Sequence, residues 1–287
     1  MNNMISIITL THNKLEYTRK CLPTILASTH RPLELIVIEN GSTDGTVEWL
    51  KDFSSTAEKK DVRLVVIQNK SNIGCSTARN QGAEKSSGEN LVFMDNDVAV
   101  RDILWLDKLS NMLYESKNIA AAGPKLVYPV NPFNIQCAGV GISKTGRVQF
   151  IGRGEKRDDP RFNRKRDIQC LTSACIMTKK AAFGRAQGFD EAFNPVQFED
   201  FDLCYRIRSK GYRIVFVPEV EMYHFESVTT AGTPTVPNTY VIIKNGLRFK
   251  KRWKYMFEKE DGPQDSETRW RNIPPVPLET IGDLPRS

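Results

Sequence analysis

No apolar run in the chain approaches the ~20 residues that a membrane-spanning helix needs. The earliest candidate, Met4-Ile5-Ser6-Ile7-Ile8-Thr9-Leu10, is short, lacks a basic leader and runs into Thr11-His12-Asn13. It reads as a first β-strand, not a signal peptide. Tight cysteine pairs are also missing. The six cysteines, at 21, 75, 137, 170, 175 and 204, form no C-x-x-C, and there are only three histidines. That argues against structural zinc and for free thiols in a reducing cytoplasm. No G-x-G-x-x-G follows the first apolar run, and no G-x-x-x-x-G-K-[ST] occurs anywhere. Dinucleotide binding of the usual kind and P-loop phosphate binding are therefore disfavoured. Apolar residues are not scarce: with 287 residues, 40% hydrophobic and 26% charged, the chain suits one large α/β domain or two smaller ones.

What the chain has in excess is positive charge, formally +7. An anionic partner fits such a surface, whether a phosphorylated metabolite, an acidic membrane or nucleic acid. The first third alternates β-rich runs over 5–10, 33–38, 63–67 and 90–94 with helical patterns over 15–26, 46–53 and 75–85. Near-continuous Ile, Val and Leu runs belong to parallel strands buried on both faces. The alternation predicts an α/β fold, doubly wound, with right-handed crossovers.

The polar motifs fall at the carboxyl ends of those strands. Thr11-His12-Asn13 follows the first, Glu39-Asn40-Gly41-Ser42-Thr43-Asp44-Gly45 the second, 69–74 the third and Asp95-Asn96-Asp97 the fourth. Each alone is also an ordinary turn or helix start. Together they mark one edge of an open parallel sheet, where ligands bind. Asp95 and Asp97 share a face if the strand stays extended. Two such acids repel unless a cation sits beside them, and hard oxygen ligands suit Mg²⁺ or Mn²⁺.

Beyond residue 98 the pattern predicts a helix over 104–114 and a strand over 119–127 broken by Gly123-Pro124. A hairpin is expected from 135–142 and 146–151. The charged segment 153–166 reads as a surface loop or as a lid whose arginines close over a phosphorylated ligand. A strand over 168–177, a short helix over 178–183 and a turn at 188–191 lead to a helix over 198–208 with acids in its first turn. A last strand over 213–217 stops at Pro218.

Four stretches carry a resemblance: Ile7-Ile8-Thr9-Leu10-Thr11-His12-Asn13, Val37-Ile38-Glu39-Asn40-Gly41-Ser42-Thr43-Asp44-Gly45, Asn72-Ile73-Gly74 with Ala78-Arg79-Asn80-Gln81-Gly82, and Met94-Asp95-Asn96-Asp97. They resemble the inverting family 2 glycosyltransferases of the GT-A fold that build bacterial cell-surface polysaccharides, in order over residues 4–230. The resemblance implies a Rossmann-like, mostly parallel sheet with a smaller acceptor-side mixed sheet. It divides the chain into a nucleotide-sugar-binding half (1–98), an acceptor-binding half (99–230) and a C-terminal extension (231–287). It implies that Thr11, Asn13 and Glu39 flank the nucleoside, with Asn72, Gly74 and Arg79 near the base or ribose. Asp95 and Asn96 would lie beside the donor, Asp95 touching the ribose or the metal shell, and Asp97 would bind the cation bridging the diphosphate. Glu39 is a departure, since the family more often has Asp there. Glu199-Asp200, followed by Asp202-Leu203-Cys204, resembles the acceptor-side acidic motif. By that match Asp200 is the base, Glu199 a neighbour that positions the acceptor or tunes Asp200, and Asp202 a helix-start residue or a support behind the site. Tyr223-His224-Phe225-Glu226-Ser227 resembles the segment that returns a histidine to the metal or the diphosphate, and His224 with Asp97 would be the pair of protein ligands.

Residues 244–257 interleave basic and aromatic side chains. They suit peripheral contact with an anionic membrane or, the favoured reading, a helix packing its aromatic face on the core. Residues 262–287 read as an extended or disordered tail. The expectation is a Mn²⁺- or Mg²⁺-dependent inverting glycosyltransferase, cytoplasmic or peripheral at the inner face of the plasma membrane. It would move a sugar from a UDP- or dTDP-linked donor to a glycan or lipid-linked acceptor. A nucleotidyltransferase would need a Gly-rich basic loop where Thr11-His12-Asn13-Lys14 stands. A nucleic-acid-binding protein would need stacking aromatics within 153–166, where Phe162 stands alone, so no nucleic acid is expected.

Overall fold

In the computed structural model, residues 3–226, 228 and 238–280 are described. The early apolar runs form β1 (Ile5–Thr11), β2 (Leu33–Asn40), β3 (Val62–Asn69) and β4 (Asn90–Asp95), linked by α1 (Leu15–Ile25), α2 (Thr46–Glu58) and α3 (Cys75–Lys85). The strands are parallel in the order β3-β2-β1-β4. Every residue of β2 is buried, and all but Leu10 of β1. A strand so enclosed has no solvent side toward which to alternate polar residues, which explains its composition. Gly82 lets α3 approach this sheet, since a Cβ there would stand 2.5 Å from Ile8 and 2.9 Å from Ile38. The strand order reverses at β1, and open α/β sheets bind ligands in the crevice beyond such a reversal.

The second half comprises β5 (Val98–Val100), α4 (Trp105–Tyr114), β6 (Ile119–Val127), β7 (Ile135–Cys137), β8 (Val140–Ile142), β9 (Val148–Phe150), β10 (Arg166–Asp167), β11 (Cys175–Lys179), α5 (Lys180–Arg185), α6 (Glu199–Ser209), β12 (Arg213–His224) and α7 (Asn238–Phe257). The large sheet continues β4-β11-β6-β12-β10, with β5 on β12 and β7 on β6, while β8 and β9 pair separately. Here β11 runs antiparallel to both neighbours, so this half is mixed, as expected.

Several boundaries differ from the sequence expectation. Gly123-Pro124 does not break β6. On one edge, pairing with β11 ends at Ala122 and pairing with β7 begins at Leu126, so Pro124 meets neither there, while on the other edge it stands opposite Val217 of β12. Nor does β12 stop at Pro218: its register slips between Val217 and Glu221, a bulge that passes the proline, and the strand runs on to His224. Of the expected hairpin, 140–142 and 148–150 pair with each other, but 135–137 pairs with β6 instead. The strand expected from 168 begins at Cys175, leaving 171–174 as a loop. Segment 153–166 is a series of turns pinned by the buried Lys125, which donates to the Arg157 carbonyl, Asn163 and Glu221.

Along α7, Val241, Asn245, Phe249, Trp253 and Phe257 recur every fourth residue and are all buried. Opposite them, Tyr240, Ile243, Leu247 and Tyr255 are exposed beside Lys244, Lys251 and Lys254. Beyond it, residues 263–270 lie along the β8–β9 hairpin, with Asp265 accepting from Thr145 at 2.8 Å and the Glu267 carbonyl accepting from Gln149 at 3.0 Å, and the chain then reaches α1, where the Leu278 carbonyl accepts from Lys20 at 3.0 Å. Ser227, 229–237 and 281–287 lie outside the described residues. No helix among the described residues is long and apolar enough to cross a membrane.

Candidate active site

Asp95 is the last residue of β4, and the chain turns at Asn96-Asp97 into β5 instead of staying extended. Strand β5 pairs with the far end of β12, setting His224 opposite Val98, and the Phe225 N–H donates to the Asp97 carbonyl at 3.2 Å. This long-range pairing brings ligand atoms of Asp95, Asp97 and His224 within 4.8 Å of one another. His224 Nε2 stands 3.4 Å from Asp97 Oδ1, while its Nδ1 lies 2.9 Å from Gln136 Oε1 on β7. Nδ1–H donating to that oxygen leaves Nε2 facing the acids. Two carboxylates and an imidazole suit a divalent cation such as Mn²⁺ or Mg²⁺, so the residues fit the expected metal. Burial works against a charged His224, but the facing Asp97 carboxylate, with Asp95 and Glu226, holds its pKa above the usual imidazole value. Burial raises the Asp95 carboxyl, opposed by the adjacent Arg79 guanidinium.

Arg79, buried on α3, joins two acidic groups. Its Nη2 is 2.7 Å from Asp95 Oδ1 and its Nη1 is 2.8 Å from Glu199 Oε1. Glu199 and Asp200 open α6, behind two residues forced into left-handed backbone, Gln197 (φ 81) and Phe198 (φ 71). The α7 residue Asn245 secures that turn: its Nδ2 lies 2.7, 2.9 and 3.0 Å from the carbonyls of Phe193, Val196 and Gln197. The expected helix-start residue Asp202 is held from the same helix, accepting from Arg252 and the Trp253 indole. Asp200 accepts from the Ser173 and Phe201 N–H groups at 3.1 and 2.8 Å. Burial and then the Glu199 charge outweigh those bonds and push its carboxyl up to about 8.

Asn72, Arg79, Asp95, Asn96, Asp97, Glu199, Asp200 and His224 border a single cavity of about 650 Å³. Four expected donor-site residues stand behind its wall. Thr11 is bonded to Thr18, Asn13 accepts from the Thr43 N–H, and Glu39 accepts from the Ser42 N–H. At Gly74 (φ +85) a Cβ would lie 2.4 Å from Asn194, so its requirement is close packing of the α3 start. His12 and Asn40 supply the lining from those loops. Sequence reasoning also missed Gln136, Phe150, Glu226 and Trp270 as cavity residues. Of these, Glu226 alone had a local signal, two residues after His224; it adopts φ 63, a strained value for a non-glycine residue.

The uncharacterized protein y4gI of Sinorhizobium fredii is 30% identical over 258 residues, covering 88% of this chain; the chain spans 28% of that relative's length. An N-acetylglucosaminyl-diphospho-decaprenol L-rhamnosyltransferase of Mycobacterium tuberculosis is 25% identical, with 82% of this chain and 80% of that protein aligned. Among solved structures, GalNAc-T7 with UDP, GalNAc and Mn²⁺ superposes with a TM-score of 0.70 at 16% identity, over 89% of this chain and 49% of that one. The shared architecture is the GT-A fold. The profile of Glycosyl transferase family 2 matches residues 6–186. That span is more than half of the chain, which therefore belongs to Glycosyl transferase family 2.

Proposed function

We propose that this glycosyltransferase moves a sugar from a nucleotide-diphosphate donor, UDP- or dTDP-linked, to a hydroxyl of a glycan or lipid-linked glycan, with inversion. One observation carries the reading: Asp200 and the Asp95–Asp97–His224 cluster open on the same cavity, with Arg79 bonded to Asp95 on one side and Glu199 on the other. A base and a leaving-group site within one cavity suit a single displacement. Asp200 takes the proton of the acceptor hydroxyl as its oxygen bonds to the anomeric carbon, and the bond from that carbon to the diphosphate breaks. One such displacement inverts the anomeric configuration. Glu199 and Arg79 hold the base side in place, and Gln136 keeps His224 Nε2 turned toward Asp97. A divalent cation held by Asp97, His224 and Asp95 would supply charge neutralisation for the leaving diphosphate. The GalNAc-T7 structure with Mn²⁺ and UDP supports the metal and donor class, and the name of the mycobacterial relative supports a lipid-linked acceptor. The outward face of α7 supports peripheral contact with an anionic membrane.

The test is nucleotide release from UDP-, dTDP- and GDP-sugars with and without Mn²⁺, with the product anomer read by NMR. Loss of turnover in Asp200→Asn and Asp97→Asn, with an inverted product, is expected. Full activity in Asp200→Asn would remove the base assignment, metal-independent turnover the cation's role, and a retained anomer the single displacement.

A further inference from the structure

The cavity has a second side that the donor chemistry does not use. Phe198, Phe201, Phe150 and Trp270 all border it and form an unbroken series of edge-on ring contacts. Phe198 meets Phe201 at 5.5 Å and 84°, Phe201 meets Phe150 at 6.5 Å and 86°, and Phe150 meets Trp270 at 5.4 Å and 72°. Phe198 and Phe201 flank Glu199 and Asp200 in sequence, so the series starts beside the candidate base. At its other end Trp270 is 61% exposed, yet it is firmly held. The Arg153 guanidinium stacks 3.9 Å from the centre of the Trp270 ring. Its Nη1 and Nη2 bind Glu226 at 2.7 and 2.9 Å, and its Nε donates to the Arg271 carbonyl at 2.8 Å. Glu226 also accepts from the Tyr128 hydroxyl at 3.1 Å. All three guanidinium nitrogens are thus engaged in fixing an exposed indole at the rim of the cavity.

We propose that this aromatic wall is a stacking subsite for a sugar ring of the acceptor, with Arg153 and Glu226 as the residues that position Trp270. The proposal rests on the reading of Asp200 as the base. A pyranose presents a face of C–H bonds and a rim of hydroxyls. The C–H face matches aromatic rings, and the rim needs polar partners of the kind that Asp200 and Glu226 offer beside the wall. An alkyl chain along the same wall would cover those carboxylates and offer nothing to the acceptor positions that their protein partners leave open, which is costly.

Saturation-transfer NMR tests this with methyl and n-octyl glycosides of glucose, galactose, rhamnose and N-acetylglucosamine, in the presence of UDP and Mn²⁺. Ring C–H protons of at least one glycoside should receive saturation from the wild-type protein. Affinity should fall about tenfold in Trp270→Ala and less in Trp270→Phe, with UDP binding unchanged in both. Arg153→Met should weaken glycoside binding as Trp270→Ala does. Saturation confined to the octyl chain, or glycoside binding indifferent to both Trp270 variants, overturns the sugar subsite while leaving the transferase reading intact. Failure of the wild-type protein to bind any nucleotide or nucleotide sugar would instead strike at that underlying reading.

Discussion

As the proposed base, Asp200 has to lose a proton before it can take one. With its carboxyl pushed up to about 8, it is mostly protonated at neutral pH in the empty cavity. The donor-side kcat/KM, which reports free-enzyme ionisations, should therefore climb with pH along a limb centred near 8. Glu199→Gln removes the negative charge that raises this pKa after burial, and it frees the Arg79 positive charge nearby. The limb should then move to lower pH; an unmoved limb would mean that another group sets it. The same shift has a stability consequence. The native carboxyl keeps a proton that the unfolded chain releases near pH 4, so stability falls as pH rises from about 4 to about 8. Asp200→Asn lacks that loss, and its melting temperature should exceed the wild-type value by a margin that widens from pH 5 to pH 8. At the cation site, Gln136→Leu leaves His224 Nδ1 without its partner and should weaken Mn²⁺ binding about tenfold, read by electron paramagnetic resonance. That Asp97, Asp200 and His224 border one cavity could be expected from the sequence because their motifs are local. The places of Gln136 and Trp270 could not be, because they depend on β7 leaving the hairpin for β6 and on residues 263–270 folding back along β8–β9.

Among the elements, the parallel strands were the most legible, because burial on both faces writes itself directly into composition. Prolines misled where they sat in register irregularities: Pro124 between two partners of β6, and Pro218 in the bulge of β12. That second error matters for function, since a strand ending at 217 would leave His224 on no element. It reaches Asp97 only because β12 continues and pairs with β5. The α7 helix shows how an element remote in sequence holds the start of α6, which carries the proposed base. Asn245 holds three carbonyls of the turn ahead of Glu199, and Arg252 and Trp253 bind Asp202 within α6. Asn245→Ala strands those carbonyls and should cost about 1–3 kcal/mol of stability, measured by denaturant unfolding. Its kcat should fall while Mn²⁺ and UDP affinity hold, because the turn it supports carries Asp200 and not Asp97. An equal loss of metal binding would show that the damage is global.

For the molecule as a whole, α7 has two outward relations at once. Ile242 borders the cavity, while Tyr240, Ile243, Leu247 and Tyr255 stand exposed among Lys244, Lys251 and Lys254. Apolar side chains interleaved with lysines on one exposed helix face, in a chain of net charge +7, suit a surface that is anionic and apolar beneath. Contact through that face would bring the rim of the cavity toward the lipid, where an acceptor of the proposed lipid-linked kind would sit. Sedimentation with phosphatidylglycerol vesicles should therefore exceed that with phosphatidylcholine vesicles, and should weaken with added salt as surface charges are screened. Leu247→Glu removes an apolar anchor and adds a repelling charge at a position where no packing is lost. It should abolish sedimentation while leaving turnover on a soluble acceptor unchanged. Lys251→Gln removes one charge of the attraction and should weaken binding less. Sedimentation of Leu247→Glu equal to wild type would exclude this face as the contact, whatever the vesicles recruit.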